Sequence, residues 1–344
     1  MSTAAGSVCI CEKVIEGSKY YRPTRVLTGA KRSLTANSKP HSFRHSIPPS
    51  QVYRKASFWV MAATSESMTQ VTVTGAGGRT GKIVLQKLLA QPEKFSARGL
   101  VRNTKSAEKL QGEGVPADRL YVGDIVNGTE ELRKSLAGSD ALVIATSAVP
   151  QIKPLSLLTV FWKKLLRQEG ARPEFSFKEG QFPEQIDWLG QKAQIDAARE
   201  VGVKKVVLIS SMGGTDKNHP LNKLGNGNIL IWKRKAEEYL INSGGMKYTI
   251  IHPGGLIDEE GGKRELVLGV DDELLKNTSR SIPRADVAEL TVQCLTLAEA
   301  DNRSIDVITK PPGEGTPTTD YAALLTSLKE DCQYGAVAKP ALSA

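Results

Sequence analysis

Val71-Thr-Val-Thr-Gly75-Ala-Gly-Gly78-Arg79-Thr80-Gly81-Lys82 carries a β-branched run straight into three glycines spaced three apart. Such a run reads as a strand, and the glycines as the turn from it into a helix. Gly75 allows a tight turn, Gly78 lets the backbone approach a phosphate, and Gly81 lets the next helix pack against the strand. Behind them, Lys82 to Ala90 places Ile83, Val84, Leu85, Leu88 and Leu89 along one helical stripe. A helix that starts there points unpaired N–H groups and a partial positive charge at whatever the bend holds, which suits a pyrophosphate.

Outward from that turn the chain keeps one rhythm. Ser96–Val101, Arg119–Val122, Ala141–Ala145, Lys205–Ile209, Tyr248–Ile251 and Ser304–Ile308 read as further strands. Helical patterns fall between them at 107–111, 129–136, 185–201 and 229–243, with a last one at about 321–328. This alternation predicts the α/β class: a doubly wound parallel sheet, a Rossmann fold, over about 69–330, with its ligand along the C-terminal strand edge. Residues 149–184 and 254–280 break the rhythm as insertions after the fourth and sixth strands, where substrate-covering loops are expected. In the first, Leu155-Ser-Leu-Leu-Thr-Val-Phe-Trp-Lys-Lys-Leu-Leu-Arg167 is too short to span a membrane. It reads as a packed cap helix, with peripheral membrane contact as the alternative.

Charge separates the leader from the rest. Residues 1–62 hold ten Lys/Arg against Glu12 and Glu16, so this segment carries +8 of the total +9. The remainder is nearly neutral, which argues against a nucleic-acid surface. The leader also holds 13 Ser/Thr and ends near Met61-Ala-Ala63, so it reads as a transit peptide for plastid or mitochondrial import, or else as a disordered tail. Residues 331–344 are expected to form a C-terminal tail. Beyond residue 62 only Cys294, Cys332, His219 and His252 offer soft ligands, with no paired-cysteine spacing, so no metal centre is expected.

The cofactor can be read from strand two. NAD-binding versions of this fold place Asp or Glu about 20 residues past the glycines, on the ribose 2′-hydroxyl. Here Leu100-Val-Arg102-Asn103 stands in that place, and Arg102 lies 21 residues after Gly81. A guanidinium suits a 2′-phosphate that a carboxylate would repel, so NADP(H) is expected. Arg79 adds a second cation near the phosphates, although both arginines also read as solvated side chains.

Five motifs occur in a fixed order: Thr74-Gly-Ala-Gly-Gly-Arg-Thr80-Gly81, Ser147-Ala-Val-Pro-Gln151, Ser211-Met-Gly-Gly-Thr215, Trp232-Lys-Arg-Lys-Ala-Glu237 and Pro283-Arg-Ala-Asp-Val-Ala288. In these the chain resembles the atypical, NmrA-like short-chain dehydrogenases/reductases, in particular the plant plastid NAD(P)-binding proteins among them, over about 69–328. The resemblance implies import into the plastid stroma and an NADP(H)-binding domain. It implies that Thr80 belongs to the phosphate loop, that Asp124 and Ile125 edge the adenine, and that Thr146 and Ser147 lie near the ribose and pyrophosphate. Pro253, in Ile251-His-Pro-Gly-Gly255, would line the nicotinamide end.

The same resemblance makes Ser211 the substrate-positioning serine and Lys233 the lysine that holds the ribose. The usual proton-donating tyrosine is missing, because Ile229 and Ile231 stand at the two possible registers. Ala193 replaces an asparagine and His252 an arginine of the family pattern. Hydride transfer would then suit an acceptor whose reduced form solvent can protonate, such as a quinone, flavin or tetrapyrrole. The competing expectation is a non-catalytic NADP(H) sensor or scaffold. Read structurally, Ser211 caps a turn and Lys233 pairs with Glu237 on an exposed helix face.

Overall fold

The computed structural model describes residues 68–166 and 172–334, so the expected transit peptide and the end of the expected tail lie outside the described residues. Strand β1 (Thr69–Thr74) leads through α1 (Arg79–Leu89) to β2 (Phe95–Val101), then α2 (Thr104–Gly112), β3 (Leu120–Val122), α3 (Thr129–Leu136) and β4 (Ala141–Ile144). The first insertion follows as β5 (Gln151–Ile152), α4 (Pro154–Leu165) and β6 (Phe175–Ser176). A π-helical turn, Glu184–Gly190, then runs into α5 (Gln191–Glu200), β7 (Lys205–Ile209), α6 (Ile229–Asn242) and β8 (Lys247–Pro253). The chain closes with β9 (Gly255–Ile257), β10 (Leu266–Gly269), β11 (Ser281–Pro283), α7 (Arg284–Thr296), β12 (Arg303–Thr309) and α8 (Tyr321–Ser327).

The main sheet has the order β10-β12-β8-β7-β4-β1-β2-β3, with all neighbours parallel except β10, which runs antiparallel to β12. A parallel sheet must be covered on both faces, so its strands read as continuous apolar runs rather than alternations. Ala141-Leu-Val-Ile144 and Lys205-Val-Val-Leu-Ile209 are buried at every position, and Lys205 manages this because its ammonium reaches Asp301 at 2.6 Å. One face packs Val71, Val73, Leu85, Leu88 and Leu290 under α1 and α7. The other packs Leu136, Leu142, Ile144, Ile195 and Leu240 under α3, α5 and α6. Full burial of each such side chain contributes roughly 1.5–3 kcal/mol.

Three features differ from the sequence reading. Leu266–Gly269, inside a stretch expected to be irregular, adds an antiparallel edge strand against Asp306–Thr309. The helix expected over 185–201 starts one residue earlier and is π-wound over Glu184–Gly190. The expected packed cap helix over 155–167 turns its apolar side outward: Leu155, Leu157 and Leu158 are exposed while Ser156 is buried. Its Ser156 hydroxyl accepts the Glu174 N–H and donates to Lys153 O, so a small polar residue ties the first turn of α4 to the fold. Among the described residues no helix is long and apolar enough to cross a membrane.

Candidate functional site

The glycine bend has the steric form that its spacing predicts. Gly75 has φ +68°, and a Cβ there would stand 2.6 Å from Ala145 O at the end of β4. A Cβ on Gly81 would collide with Gly75 O, so α1 comes this close to β1 only because position 81 has no side chain. Gly78 closes the turn by donating its N–H to Gly75 O at 2.8 Å, and it caps α1 without a side chain. The first turn of α1 holds no acid, so its leading N–H groups and its positive end face the bend unopposed. This cradle, which a Cβ would fill, fits a dinucleotide pyrophosphate.

A cleft opens from the bend along the C-terminal ends of β1, β2, β3 and β4. Gly75 and Gly78 form its floor, Arg102 its β2 side, Asp124 and Ile125 its β3 side, and Thr146 with Ser147 its β4 side. Seven residues chosen from sequence thus meet around one space. Asp124 lines it while also shaping the turn, since its carboxylate accepts the Val126 N–H at 2.7 Å. Arg102 is exposed and, among the described residues, has no ion-pair partner, so its guanidinium is uncommitted. Ser106, Lys178 and Gln181 share the wall. The first insertion therefore contributes to this cleft, in part through Lys178 and Gln181, which no motif marks.

The other chosen residues lie outside this wall. Thr80 and Gly81 sit in the first turn of α1 behind the bend, and Arg79 pairs with Asp258, which Arg284 holds from its other side at 2.7 Å. Pro253 ends β8 and is buried, its carbonyl accepting the Met212 N–H. Ser211 follows β7 next to it, half-buried, with its hydroxyl donating to Met212 O at 3.0 Å. Lys233 is buried on α6, a helix whose start is fixed by the Asn222 side chain accepting the Leu230 N–H at 2.9 Å. The expected exposed Lys233–Glu237 pair does not form: both residues are buried, Lys233 meets Asp187 at 2.8 Å, and Glu237 meets Ser210 and His252.

Sequence reading missed the residues that tie these strand ends together. Asp187, Gln191 and Gln194 are all buried on one face of the π turn and α5. Asp187 accepts the Ala148 N–H at 3.0 Å, Gln191 donates to Thr146 O at 3.0 Å, and Gln194 donates to the Thr146 hydroxyl at 3.1 Å. Gln194 also accepts from the Thr74 hydroxyl at 2.5 Å, joining the β1 bend to the β4 loop. The signal was present as three polar residues at i, i+4 and i+7 on an otherwise apolar helix face, which only hydrogen bonding can satisfy.

Beneath Ser211 lies a closed ionic cluster. Ser210 donates to Glu237, whose other oxygen stands 3.1 Å from His252 Nε2, and His252 Nδ1 stands 3.0 Å from Asp306. Burial opposes charge on both Glu237 and His252. Their mutual attraction overrides it, with Arg234 and Ser210 aiding Glu237 and with Asp306 and Cys332 aiding His252. Glu237 is held down at about 2 and His252 well above the ordinary imidazole value, so the ring is an imidazolium between two carboxylates. The fold thereby brings His252, Asp306 and Cys332 together although no spacing announces it. Hydrogen bonds account for all three. Cys332 and Tyr334, where a tail was expected to begin, are buried against the cluster.

Comparison with known proteins agrees with this geometry. Residues 75–297 match the family described as NAD(P)H-binding. An uncharacterised chloroplastic protein of Arabidopsis thaliana is 53% identical over 275 residues, covering 80% of each chain. Sanguinarine reductase of Eschscholzia californica is 46% identical over 276 residues, covering 78% of this chain and 98% of that one. Among solved structures, a NAD-dependent epimerase/dehydratase-type protein of Bacillus halodurans superposes with a TM-score of 0.57 at 22% identity, over 76% of this chain and all of that one.

Proposed function

This chain belongs to the NAD(P)H-binding family, and from that premise we propose that it is a plastid reductase that uses NADPH against a small conjugated acceptor of the quinone, flavin or tetrapyrrole type. The observation that carries the cofactor choice is the uncommitted guanidinium of Arg102 in the cleft wall at the end of β2, where a carboxylate would select the unphosphorylated coenzyme. Gly75, Gly78 and the leading N–H groups of α1 hold the pyrophosphate, with Thr80 and Gly81 shaping that turn and Arg79 supplying charge nearby. Asp124 and Ile125 edge the adenine, Thr146 and Ser147 border the ribose and pyrophosphate, and Pro253 bounds the nicotinamide end.

The bound coenzyme supplies a hydride, and the chain supplies orientation. Lys233 holds the nicotinamide ribose and Ser211 positions the acceptor. With Ile229 and Ile231 in place of a tyrosine, no phenol delivers a proton, so an acceptor that solvent protonates after reduction fits this site. The name of one relative, sanguinarine reductase, supports reductase chemistry, and the chloroplastic relatives support the plastid. In this reading 1–62 is the import leader and 69–330 the binding domain, to whose core Cys332 and Tyr334 also belong, and the stroma is the working compartment.

Titration of the chain lacking residues 1–62 with NADPH and NADH, followed by NADPH consumption with a panel of quinones, flavins and biliverdin, tests the proposal. Binding of NADPH with turnover of one acceptor class supports it, and no binding of either coenzyme overturns it. Tight binding without turnover on any acceptor would instead favour the sensor reading, to which the missing tyrosine also points.

A further inference from the structure

Asp187 is fully buried, and its two carboxylate oxygens face the loop after β4 and the side chain of Lys233. Its Oδ2 accepts the N–H of Ala148 at 3.0 Å, and its Oδ1 lies 2.8 Å from the Lys233 ammonium. The second contact is an ion pair without hydrogen-bond alignment, so the carboxylate balances the charge of Lys233 while leaving its N–H donors uncommitted to that oxygen. Both Ala148 and Ile186, the residue before Asp187, line the cofactor cleft. The carboxylate thus sits directly behind the wall and joins the β4 loop to Lys233.

The backbone is shaped to deliver it there. Asp187 lies in the π-wound stretch Glu184–Gly190, a winding used in short pieces and often at functional sites. Gly190 lets this stretch press on the adenine side, since a Cβ there would stand 2.7 Å from Ile125 Cδ1. Trp188 anchors it to α6 by an edge-on contact with Tyr239, ring centres 5.7 Å apart, and by Lys235 lying 4.4 Å over its ring. A buried ion pair contributes little net stability compared with an apolar pair of the same volume, so stability alone is a weak account of a lysine and an aspartate buried behind this wall.

We propose that Asp187 is a positioning residue that holds the Lys233 ammonium and the 146–148 loop in register for the nicotinamide half of the coenzyme. The inference rests on the function proposed above. It makes the π turn part of the binding machinery, acting through Lys233 rather than by touching the ligand.

The test compares the wild type, Asp187→Asn, Lys233→Met and the double variant by calorimetric titration with two probes, NADPH and adenosine 2′,5′-bisphosphate, which lacks the nicotinamide half. Asp187→Asn is expected to weaken NADPH by about tenfold, the scale of one lost charge-assisted contact, and to leave the bisphosphate within about twofold of wild type. In the Lys233→Met background the same change should cost nothing further. Unchanged NADPH affinity in Asp187→Asn, equal losses for the two probes, or losses that multiply in the double variant would each overturn the inference. If Asp187→Asn does not fold, the double variant against Lys233→Met alone decides it: equal NADPH affinity supports the coupling and a further loss overturns it. A wild type that binds neither probe would remove the proposed function itself, whereas a wild type that binds both with an indifferent Asp187→Asn removes only this inference.

Discussion

Glu237 Oε2 stands 3.1 Å from His252 Nε2 in a space closed to water, and Asp306 takes the other ring nitrogen at 3.0 Å. Arg234 flanks Glu237, while Cys332 and Tyr334 pack against the ring, so the imidazolium is the group on which two carboxylates depend. Removing one partner of a buried pair strands the other, at a cost of about 3–5 kcal/mol. His252→Gln is expected to destabilise the fold on that scale. The pH dependence has a definite sign. His252 is raised above its ordinary 6.5, so its contribution is complete below that value and is lost as pH rises through the folded pKa. Glu237 is depressed from 4.5 to about 2, so its contribution is complete above 4.5 and is lost as pH falls through about 2. Urea unfolding across the pH range should therefore show the largest gap between wild type and His252→Gln between 4.5 and 6.5. A gap that widens at alkaline pH would contradict the imidazolium.

Arg102→Asp tests coenzyme choice. The guanidinium at the end of β2 has no ion-pair partner among the described residues, so replacing it should leave the thermal midpoint nearly unchanged. Loss of a charge-assisted contact, roughly 1.5–3 kcal/mol, corresponds to NADPH binding about 10- to 100-fold weaker. NADH should be held as well as before or better, since the new carboxylate can meet a 2′-hydroxyl. Equal losses for both coenzymes by fluorescence titration would remove the basis for the choice.

How much could be read beforehand follows from what each residue's chemistry depends on. Backbone-driven features were legible: the β1 run, the 75–78–81 glycines and the alternation of strands with helices name the fold because sterics and periodicity act locally. The cleft wall at Arg102, Asp124 and Thr146 was legible for the same reason, each standing one or two residues past the end of a strand. Asp187, Gln194, Glu237 and His252 were not legible as a site. Their partners lie far along the chain, 120 residues away for Gln194 and Thr74, and nothing local distinguishes a polar residue that meets another in the core from one that meets water. The orientation of α4 escaped for a related reason, because an apolar run states that burial would be favourable without stating that the fold supplies it.

Gly81→Ala probes the bend without touching a polar group. The added methyl would meet Gly75 O and C, which are backbone atoms that no rotamer change can clear, and also the Ala145 side chain at 3.2 Å. Either α1 shifts away from β1 or the turn opens, at about 1–3 kcal/mol for an overpacked contact. The expected result is a lower thermal midpoint together with loss of binding for NADPH and NADH alike, because the pyrophosphate cradle is common to both. Gly114→Ala is the matched control at a position with open space, where strain from φ +93° lowers stability but coenzyme binding survives. Retention of full NADPH affinity in Gly81→Ala would show that the bend does not hold the phosphates.

Asp258 holds Arg79 in an ion pair beside the glycine bend. The carboxylate pairs with Arg79 and is itself held by Arg284, whose side chain is 12% exposed against 57% for Asp258. The exposed Arg79 pair contributes only about 0.2–1 kcal/mol, but Asp258→Asn also takes the charge partner from the mostly buried Arg284, so the unfolding midpoint should fall modestly. The substitution frees a guanidinium at the mouth of the phosphate bend. NADPH should then bind tighter by about 1.5- to 5-fold at low ionic strength, the same energy read as affinity. Because the groups are solvent-facing, the gain should fade once the screening length drops to about 3 Å in 1 M salt. Arg79→Ala reverses the sign, weakening NADPH while leaving no gain for Asp258→Asn to recover in the double variant. Titrations at low and high salt measure both effects, and a gain that persists at high salt would mean that Asp258 acts through the shape of its loop rather than through charge.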